Sequence, residues 1–596
     1  MKKIEEIQKR KTVSSYGGCG SIIETNENGS LLIRPYNEWR CYTGNNLLQR
    51  EEIKDERLLQ IVKEKFDTVE RLLEIPVLDG DVDIFSPGNA VLDKCITSEF
   101  FPRWFFCEKK GCREFMKLGE WKNRWEEEFQ DDNKFNENRP SCFNCSSAAG
   151  RGIHRVPLQQ IRFMMASLDS GKLLDIPFDV LFNLPDQNKQ GNVWYLDNVG
   201  PVNGKLSYHS RSGGDGLESL YVKCTKPDGS TSQIYLSEIE QKYLVYRGPA
   251  SNQNNNQDSI RGAYRLKLRG GSDLYFPIIE SSIYIPTTTK EERDNIMKLH
   301  RTGVSIDLIA QVTNKTIPQV DFIIRQTNVD ANNNNQQNQP LDLKMGEFYF
   351  ITNENYYQNN KITQPDFCVT RYQNLGGIDI RIQEIYALTR LKETSVLMGY
   401  KRVSPTPMRW WNIDAERELD DQPPMEHSPF SVPNPNFMPA IEAYGEGLLF
   451  VIDTEGFPEN ESDRIHDFLH TYSHLIIKEL EFLCGYPATS LKERIYDDGT
   501  HLGFLIYAIQ GSDGSYGGLT SLMPTDSYSN GKNGDAKILK VIKQAIKRAE
   551  DCPNDPICKA DGAHCFACVD LPETSCEEWN NNLNRKDFLY YVHLDR

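Results

Sequence analysis

Long apolar runs are absent from this 596-residue chain. A transmembrane helix needs about 18 or more consecutive apolar residues, and no stretch of the sequence approaches that length, so we expect no membrane span. The opening residues, MKKIEEIQKRKTVSSYGG, also lack the apolar segment that a secretory signal peptide requires. We therefore expect a soluble cytoplasmic protein.

An excess of basic residues is also missing, because 68 lysines and arginines stand against 85 aspartates and glutamates, for a net charge of −17. Proteins that coat nucleic acids need positive charge to neutralise phosphates. We therefore expect DNA to be contacted only through local basic patches or through a partner protein. The helix predicted for AKILKVIKQAIKRAE offers one such patch, with Lys540, Lys543 and Lys547. The alternative is an ordinary solvated helix face.

Signatures of the common enzyme classes are missing as well. The nearest approach to a phosphate-binding loop, VGPVNGKLSY, lacks the first glycine of that motif and the Ser or Thr that should follow Lys205. No GxSxG elbow, protein-kinase signature or dinucleotide fingerprint occurs. We therefore expect this chain to be no enzyme by itself, and any ATPase or helicase activity to reside in a partner.

One histidine motif deserves an alternative interpretation. The run RIHDFLHTYSH places His466, His470 and His474 four residues apart, on one face of a predicted helix. The first two, with an acidic residue between them, are similar to the HExxH motif of zinc proteases, but Asp467 is shorter than glutamate and no third ligand is evident. A stripe of packed histidines is the preferred interpretation, and a zinc hydrolase built on His466 and His470 is the alternative.

Cysteine is too sparse for a secreted disulfide scaffold, with 15 residues in the chain, and cytosolic thiols are kept reduced. Close cysteine pairs in that setting indicate metal binding. Cys107 and Cys112 form one pair in CEKKGC, and Cys142 and Cys145 form a second in CFNC. Two such pairs separated by an insertion predict a zinc ribbon, in which four thiolates surround one structural Zn²⁺.

A second cysteine group lies near the C-terminus, in DCPNDPICKADGAHCFACVDLPETSC. We expect Cys552, Cys558, Cys565 and Cys568 to bind a second zinc ion. This zinc would be structural, because a closed four-thiolate site leaves no position for water or substrate. Cys576 is then a neighbouring thiol or an alternative ligand. Two structural zinc ions are the cofactors that the sequence predicts.

The stretches ASNQNNNQDS and DANNNNQQNQP are rich in asparagine and lack large apolar residues, so we interpret them as loops or linkers. They separate segments in which strand-like runs such as EGLLFVID alternate with helical runs such as RIHDFLHTYSHLIIKEL. The fold class is therefore predicted to be mixed α/β and multidomain. The predicted division is an N-terminal domain at 1–249 with the zinc ribbon at about 100–165, a loop at 250–260, a middle segment at 261–329, a linker at 330–343 and a C-terminal zinc-binding domain at 344–596.

The middle segment contains SIDLIAQVTNKTIPQVDFII, residues 305–324, which has the apolar periodicity of a helix-turn-helix. Lys315, Gln319 and Arg325 would be its DNA-contacting residues. Helix pairs with this pattern also occur as plain packing. A stand-alone DNA-binding regulator is accordingly the alternative function that the sequence leaves open.

Several motifs, taken together and in order, resemble a known family. HTYSHLIIKELEFLCGYPATSLKERIY, GSYGGL and the C-terminal cysteine run are similar to the zinc-binding (MZB) domain shared by MrfA-type helicases and by DrmB of the DISARM antiphage defence system. TVSSYGGCGSIIET, YNEW, FFPRWFFCEKKGC and DIPFDVLFN resemble N-terminal segments of DrmB. At MASLDSGKLL the cysteine and histidine typical of DrmB are missing, so the resemblance is to a divergent member.

This resemblance implies a non-catalytic, DNA-associated subunit of a bacterial antiphage complex. Its partner would be a superfamily 2 helicase, DrmA in DISARM, with which it would bind or gate DNA. The resemblance also implies that zinc is bound at the N-terminal ribbon and within the C-terminal cysteine cluster.

Overall fold

The computed structural model describes residues 11–594 except for the segments given at the end of this paragraph. The chain divides into two compact units, each made of three stretches of sequence. Unit 1 comprises Met1–Ile53, Phe66–Glu280 and Val396–Ala440, and unit 2 comprises Lys54–Lys65, Ser281–Ser395 and Ile441–Arg596. The excepted segments are 15–16, 26–28, 78–87, 130–134, 138, 150–151, 169, 212–215, 248–261, 272–273, 286–289, 314, 316, 318–319, 321–322, 325–342, 374–380, 403–410, 413–416, 419–424, 459, 510–516, 525–536, 573–574 and 579.

The helices are short in the first half of the chain and longer in the second. In chain order they are α1 Lys11–Ser14, α2 Glu56–Lys65, α3 Asn89–Leu92, α4 Leu118–Phe129, α5 Phe178–Leu181, α6 Leu236–Glu240, α7 Lys290–Arg301, α8 Ile306–Thr313, α9 Leu343–Thr352, α10 Ser462–Cys484, α11 Lys537–Glu550, α12 Ile557–Ala560 and α13 Arg585–Val592. No described helix is both long and apolar enough to cross a membrane.

The strands of the first half are β1 Ile22–Thr25, β2 Gly29–Ile33, β3 Glu52–Ile53, β4 Arg71–Glu74, β5 Ser98–Phe100, β6 Trp104–Cys107, β7 Phe115–Lys117, β8 Ser147–Ala149, β9 Gly152–His154, β10 Leu158–Gln160, β11 Phe163–Ser167, β12 Leu173–Leu174, β13 Lys189–Gln190, β14 Val193–Tyr195, β15 Lys205–Ser210, β16 Leu220–Thr225, β17 Thr231–Tyr235, β18 Tyr243–Tyr246 and β19 Gly262–Leu268. The remaining strands are β20 Phe276–Ile283, β21 Lys361–Gln364, β22 Phe367–Gln373, β23 Ile382–Lys401, β24 Trp411–Asn412, β25 Arg417–Glu418, β26 Glu426–His427, β27 Phe437–Ile452, β28 Leu491–Asp497 and β29 Leu502–Ile509.

Unit 1 is built on small sheets. The largest has the strand order β12-β11-β19-β18-β14-β13, and its pairs are antiparallel except for the parallel pair β14–β18. Three-stranded sheets β1-β2-β5, β10-β6-β7 and β15-β16-β17 and the hairpin β8-β9 complete the larger part. The core contains several large aromatic side chains, of which Trp104, Phe115 and Phe178 pack together. Such side chains bury a large apolar area per residue, which suits a unit made of short strands.

Unit 2 is organised around a sheet in the order β21-β22-β23-β27-β29-β28. All eight residues of β29, LGFLIYAI, are buried. Successive side chains of a strand point to opposite faces. Phe504 and Ile506 accordingly pack into the core under α10 and α11, whereas Leu505 and Tyr507 pack into the core under α9. A continuous apolar run of strand length is what a strand covered on both faces requires.

The sequence of α11 explains its position on the sheet. Its apolar residues recur at helical spacing and are buried, whereas its lysines at 537, 540, 543 and 547 are exposed. The longer α10 ends at Gly485, whose φ of 76° is the left-handed conformation that favours glycine at a helix C-terminus. The predicted mixed α/β, multidomain fold is confirmed.

The middle segment contributes a small helical cluster to unit 2. Ile309, Ala310, Val320 and Ile323 of this segment are buried together with Ile296 of α7, as the apolar periodicity of a helix pair predicts. The first predicted helix is present as α8. The division into domains predicted from the Asn-rich stretches stays a prediction, because residues 250–260 and 330–342 lie outside the described residues.

Candidate metal centres

The first cysteine pair lies at a turn between two strands of unit 1. Cys107 ends β6, and its backbone N–H donates to Glu114 O at 3.0 Å. Cys112 closes the turn by donating its own N–H to Lys109 O at 2.9 Å, and Arg113 follows in the left-handed region with a φ of 53°. This tight reversal brings both thiols to one side of the chain, which is the local geometry of a zinc knuckle.

The second pair forms a similar turn. Ser146 N–H donates to Cys142 O at 3.0 Å, just before the hairpin β8–β9, and Cys142 N–H donates to Val156 O at 2.8 Å. Cys107 and Cys142 are buried against Trp121 and Trp125 of α4. The aromatic residues of α4 therefore fix the two turns against each other.

The separations between the sulfur atoms exclude disulfides and match a metal site. Cys107 Sγ lies 3.8 Å from Cys145 Sγ, and Cys112 Sγ lies 3.8 Å from Cys142 Sγ. A disulfide bond would be about 2.05 Å long. Four thiolates bound to zinc at about 2.3 Å in a tetrahedron lie about 3.8 Å apart.

The C-terminal cysteines follow α11 in unit 2. Cys552 lies just past that helix, Cys558 lies on α12, and a turn in which Cys568 N–H donates to Cys565 O at 3.0 Å presents the other two thiols. Cys552 Sγ is 3.6 Å from Cys565 Sγ, and Cys558 Sγ is 3.7 Å from Cys568 Sγ. These separations again approach the edge of a zinc tetrahedron.

Arg585 supports this second cluster from α13. It is 3% exposed and donates to Asp555 Oδ1 at 2.9 Å, to Cys558 Sγ at 3.4 Å and to Ala549 O at 2.7 Å. Its charge favours thiolate at the cluster. Burial opposes ionisation of the Cys565 thiol, but hydrogen bonds from the Ala567 N–H, from Asn554 and from the thiols of Cys552 and Cys568 together lower its pKa to about 6.

Both four-cysteine groups can therefore hold zinc: each brings together four sulfur ligands within 4.8 Å of one another. A site closed by four thiolates offers no position for substrate, so the bound metal would stabilise the fold. That these particular cysteines bind zinc in the protein stays a prediction.

Cys576 does not lie with the four preceding cysteines. Its Sγ atom is 3.2 Å from His470 Nε2 of α10, in a group that also contains His474 and Glu493. His466 lies apart from that group, with its ring nitrogens at 3.3 Å from Asp497 Oδ2 and at 2.7 Å from Glu578 Oε1.

Glu493 is the residue of this group that the sequence analysis missed. It lies on β28 and is 1% exposed. In LKERIYD, Glu493 shares one face of the strand with Leu491 and Ile495, and a glutamate between two apolar residues on one face indicates a buried charge that needs a partner. The sequence contains this pattern, but the pattern does not identify the residues that pair with the Glu493 carboxylate.

The residues predicted to contact DNA lie in different parts of the chain, and only some of them are described in the structure. Lys540, Lys543 and Lys547 lie exposed on one face of α11, so they are available to a phosphate backbone. Lys315 follows α8. Gln319 and Arg325 lie outside the described residues. DNA contact at any of these positions stays a prediction.

The structure combines a mixed α/β, multidomain fold with two four-cysteine groups that could hold a metal ion. Comparisons with known proteins add to this description. A family described as "Domain of unknown function (DUF8724)" matches residues 8–276. The chain is also 25% identical over 443 residues to the DISARM protein DrmB of Bacillus paralicheniformis (strain ATCC 9945a / NCIMB 11709 / CD-2). That match covers 64% of this chain and 74% of the relative. The resemblance to DrmB predicted from the motifs is thereby confirmed.

A solved structure is also similar in part. The DUF1998 helicase MrfA, crystallised bound to DNA, matches 40% of this chain with 10% identity and a TM-score of 0.21. The matched region is 26% of the MrfA chain, so this chain spans about a quarter of that helicase.

Proposed function

We propose that this chain is a non-catalytic, DNA-associated subunit of an antiphage defence complex of the DISARM type. In that complex it acts beside a superfamily 2 helicase, which supplies the ATP-driven activity, and the two together bind or gate DNA. The similarity to the DISARM protein DrmB over 443 residues is the observation that carries this proposal.

The chemistry of the two cysteine clusters supports an accessory role. Each would be saturated by its own four thiolates, and so would provide rigidity to a docking surface rather than a reaction centre. The cytoplasm is the compartment in which reduced thiols and phage DNA are both present, and we propose it as the location of the complex.

The exposed face of α11 is the proposed DNA contact. Lys540, Lys543 and Lys547 recur at helical spacing on the side opposite the buried apolar residues. Three lysines on one face can contact successive phosphates even though the whole chain is acidic, because phosphate contacts depend on local charge.

A genetic experiment tests the defence role. The gene is deleted in its native host, alone and together with the helicase gene that would encode its partner, and phage plating efficiency is measured. We expect each single deletion to raise plating to the same level and the double deletion to raise it no further, because both subunits serve one complex. Unchanged plating after deletion, or an additive effect, would contradict the proposal.

A second candidate is a stand-alone DNA-binding regulator, favoured by the helical cluster of Ile296, Ile309 and Val320 in the middle segment. It predicts binding to a defined duplex sequence by the chain alone. Removal of residues 305–324 would abolish that binding, whereas substitution of the α11 lysines would leave it intact.

A further inference from the structure

Four metal-ligating side chains meet in the interior of unit 2, outside both cysteine clusters. His470 and His474 lie one turn apart on α10, Glu493 lies on β28, and Cys576 lies in the segment before α13. The two histidines are 0% exposed, Glu493 is 1% exposed and Cys576 is 9% exposed. One ligand atom from each lies within 4.8 Å of the other three.

The separations within this group are those of ligands around a common centre. His470 Nε2 lies 3.2 Å from Cys576 Sγ and 3.2 Å from Glu493 Oε1, and His474 Nε2 lies 3.2 Å from the same Glu493 oxygen. Nitrogen and oxygen ligands bound to zinc at about 2.0 to 2.1 Å in a tetrahedron lie about 3.3 Å apart.

Hydrogen bonds outside the group orient its ligands inward. His474 Nδ1 lies 3.1 Å from Val569 O, a carbonyl that can only accept, so this nitrogen carries a proton. In a neutral imidazole the lone pair is then on Nε2, which faces Glu493. Metal-bound histidines are typically oriented by such a contact from the other ring nitrogen to a carbonyl oxygen.

The sulfur and the carboxylate are supported in the same way. Cys576 Sγ accepts the backbone N–H groups of Glu578 at 3.3 Å and of Asn580 at 3.2 Å. Glu493 accepts the Glu577 N–H at 3.2 Å and the hydroxyl of Ser473. Donors directed at a sulfur and at a carboxylate favour their negatively charged forms.

The ligand atoms of this group already converge. Glu493 Oε1 lies 3.2 Å from Nε2 of both histidines, and Cys576 Sγ lies 3.2 Å from His470 Nε2. The other ring nitrogen of His470, Nδ1, lies outside the group, 3.7 Å from Glu578 Oε2. One divalent cation would accept all four lone pairs and balance the charges of a carboxylate and a thiolate.

We propose that His470, His474, Glu493 and Cys576 bind a third zinc ion. Two imidazoles, a thiolate and a carboxylate form a donor set that suits a borderline-soft cation with tetrahedral preference. Because the chain supplies all four ligands and the site is buried, this zinc is structural. It links α10, β28 and the segment around Cys576, and it leaves no coordination position for the hydrolase considered as an alternative.

Metal content of the intact chain tests this proposal. The full-length protein is purified without chelators, and the bound metal is counted by elemental analysis and native mass spectrometry. We expect three zinc ions per chain in the natural protein and two in C576S. The matched control is H466Q on the same helix, which should keep three because His466 lies outside the group.

X-ray absorption at the zinc edge gives a second readout that needs no variant. Two four-cysteine sites alone would give about four sulfur neighbours per zinc, whereas a third site with one sulfur lowers the average to about three. Two zinc ions per chain with four sulfur neighbours each would overturn the proposal, and so would a third metal other than zinc. If C576S fails to fold, the number of sulfur neighbours per zinc in the natural protein still decides between two and three zinc sites.

Discussion

His470 Nε2 on α10 lies 3.2 Å from the Sγ atom of Cys576, 106 residues further along the chain. Among its described residues, the segment between α11 and α13 contains only the short helix α12. We therefore expect its position to depend on side-chain contacts of this kind more than on regular secondary structure. The four-cysteine cluster at 552–568 is another such contact, and both are expected to determine the stability of this end of unit 2.

Replacement of Cys558 by serine tests the C-terminal cluster. We expect C558S to lose one zinc ion, to become susceptible to proteolysis between α11 and α13, and to lose more than about 3 kcal/mol of stability, because removal of a structural metal is among the largest single-residue effects. Elemental analysis and limited proteolysis measure the outcome. Cys484 is buried and lies outside the described metal groups, so C484S is the control and should retain its zinc. Equal metal content in C558S and the natural protein would contradict the assignment.

A buried ion pair is expected to stabilise unit 2. Glu347 is 0% exposed and accepts hydrogen bonds from Arg494 Nε at 2.7 Å, from Tyr496 Oη at 3.1 Å and from the Ile283 N–H at 2.8 Å. Replacement of Glu347 by glutamine removes the nearer counter-charge of the buried Arg494 and leaves Glu577 at 3.8 Å, so we expect a loss of about 3 kcal/mol.

Chemical denaturation of the two proteins measures this loss. The control is R464Q, which removes the exposed pairs of Arg464 with Asp587 at 2.8 Å and with Glu461 at 3.2 Å. Exposed pairs contribute about 1 kcal/mol or less. Similar losses of unfolding free energy in the two variants would show that the buried Glu347 pair contributes no more to stability than an exposed pair.

His466 predicts a pH dependence. Hydrogen bonds to Asp497 and to Glu578 outweigh burial and raise the pKa of His466 from 6.5 to about 10. A group whose pKa is higher in the folded state stabilises that state when protonated. The contribution is complete below about pH 6.5, declines as the pH rises and is lost above about pH 10.

The difference in unfolding free energy between the natural protein and H466Q isolates this effect, because titration of other groups largely cancels. We expect the difference to be largest near pH 6 and to shrink steadily towards pH 10. A difference that stays constant over this interval would show that His466 stabilises the fold by packing rather than by its charge.

The salt dependence of DNA binding tests the lysines of α11. We expect the variant with Lys540, Lys543 and Lys547 all changed to glutamine to bind DNA more weakly. The slope of log affinity against log salt should fall by about 2 to 3 in magnitude, because fewer counterions are released from the DNA when fewer phosphates are contacted. The measurement uses the purified complex, at several salt concentrations. A control with Lys63, Lys205 and Lys226 changed to glutamine removes the same charge from exposed positions elsewhere. If both variants lose the same slope, only the general charge matters.

Local sequence patterns revealed the cysteine clusters, but they did not reveal the third group. Cys142 and Cys145 are close enough in sequence that a single turn brings their thiols together, so spacing alone indicated a site. Glu493 and Cys576 meet the histidines of α10 only through the packing of β28 and of the C-terminal segment, which no short-range pattern encodes. Closeness in sequence therefore favoured Cys576 as a neighbour of the other cysteines, whereas tertiary packing places it with His470.

Purification of the tagged, full-length protein from its native host, with nuclease added, is the most direct measurement of the proposed role. We predict that a superfamily 2 helicase remains bound in near-equal amount after DNA has been digested, and that mass spectrometry identifies it. A chain that emerges alone would contradict the account. Retention of defined DNA fragments by that lone chain when nuclease is omitted would favour the stand-alone regulator instead.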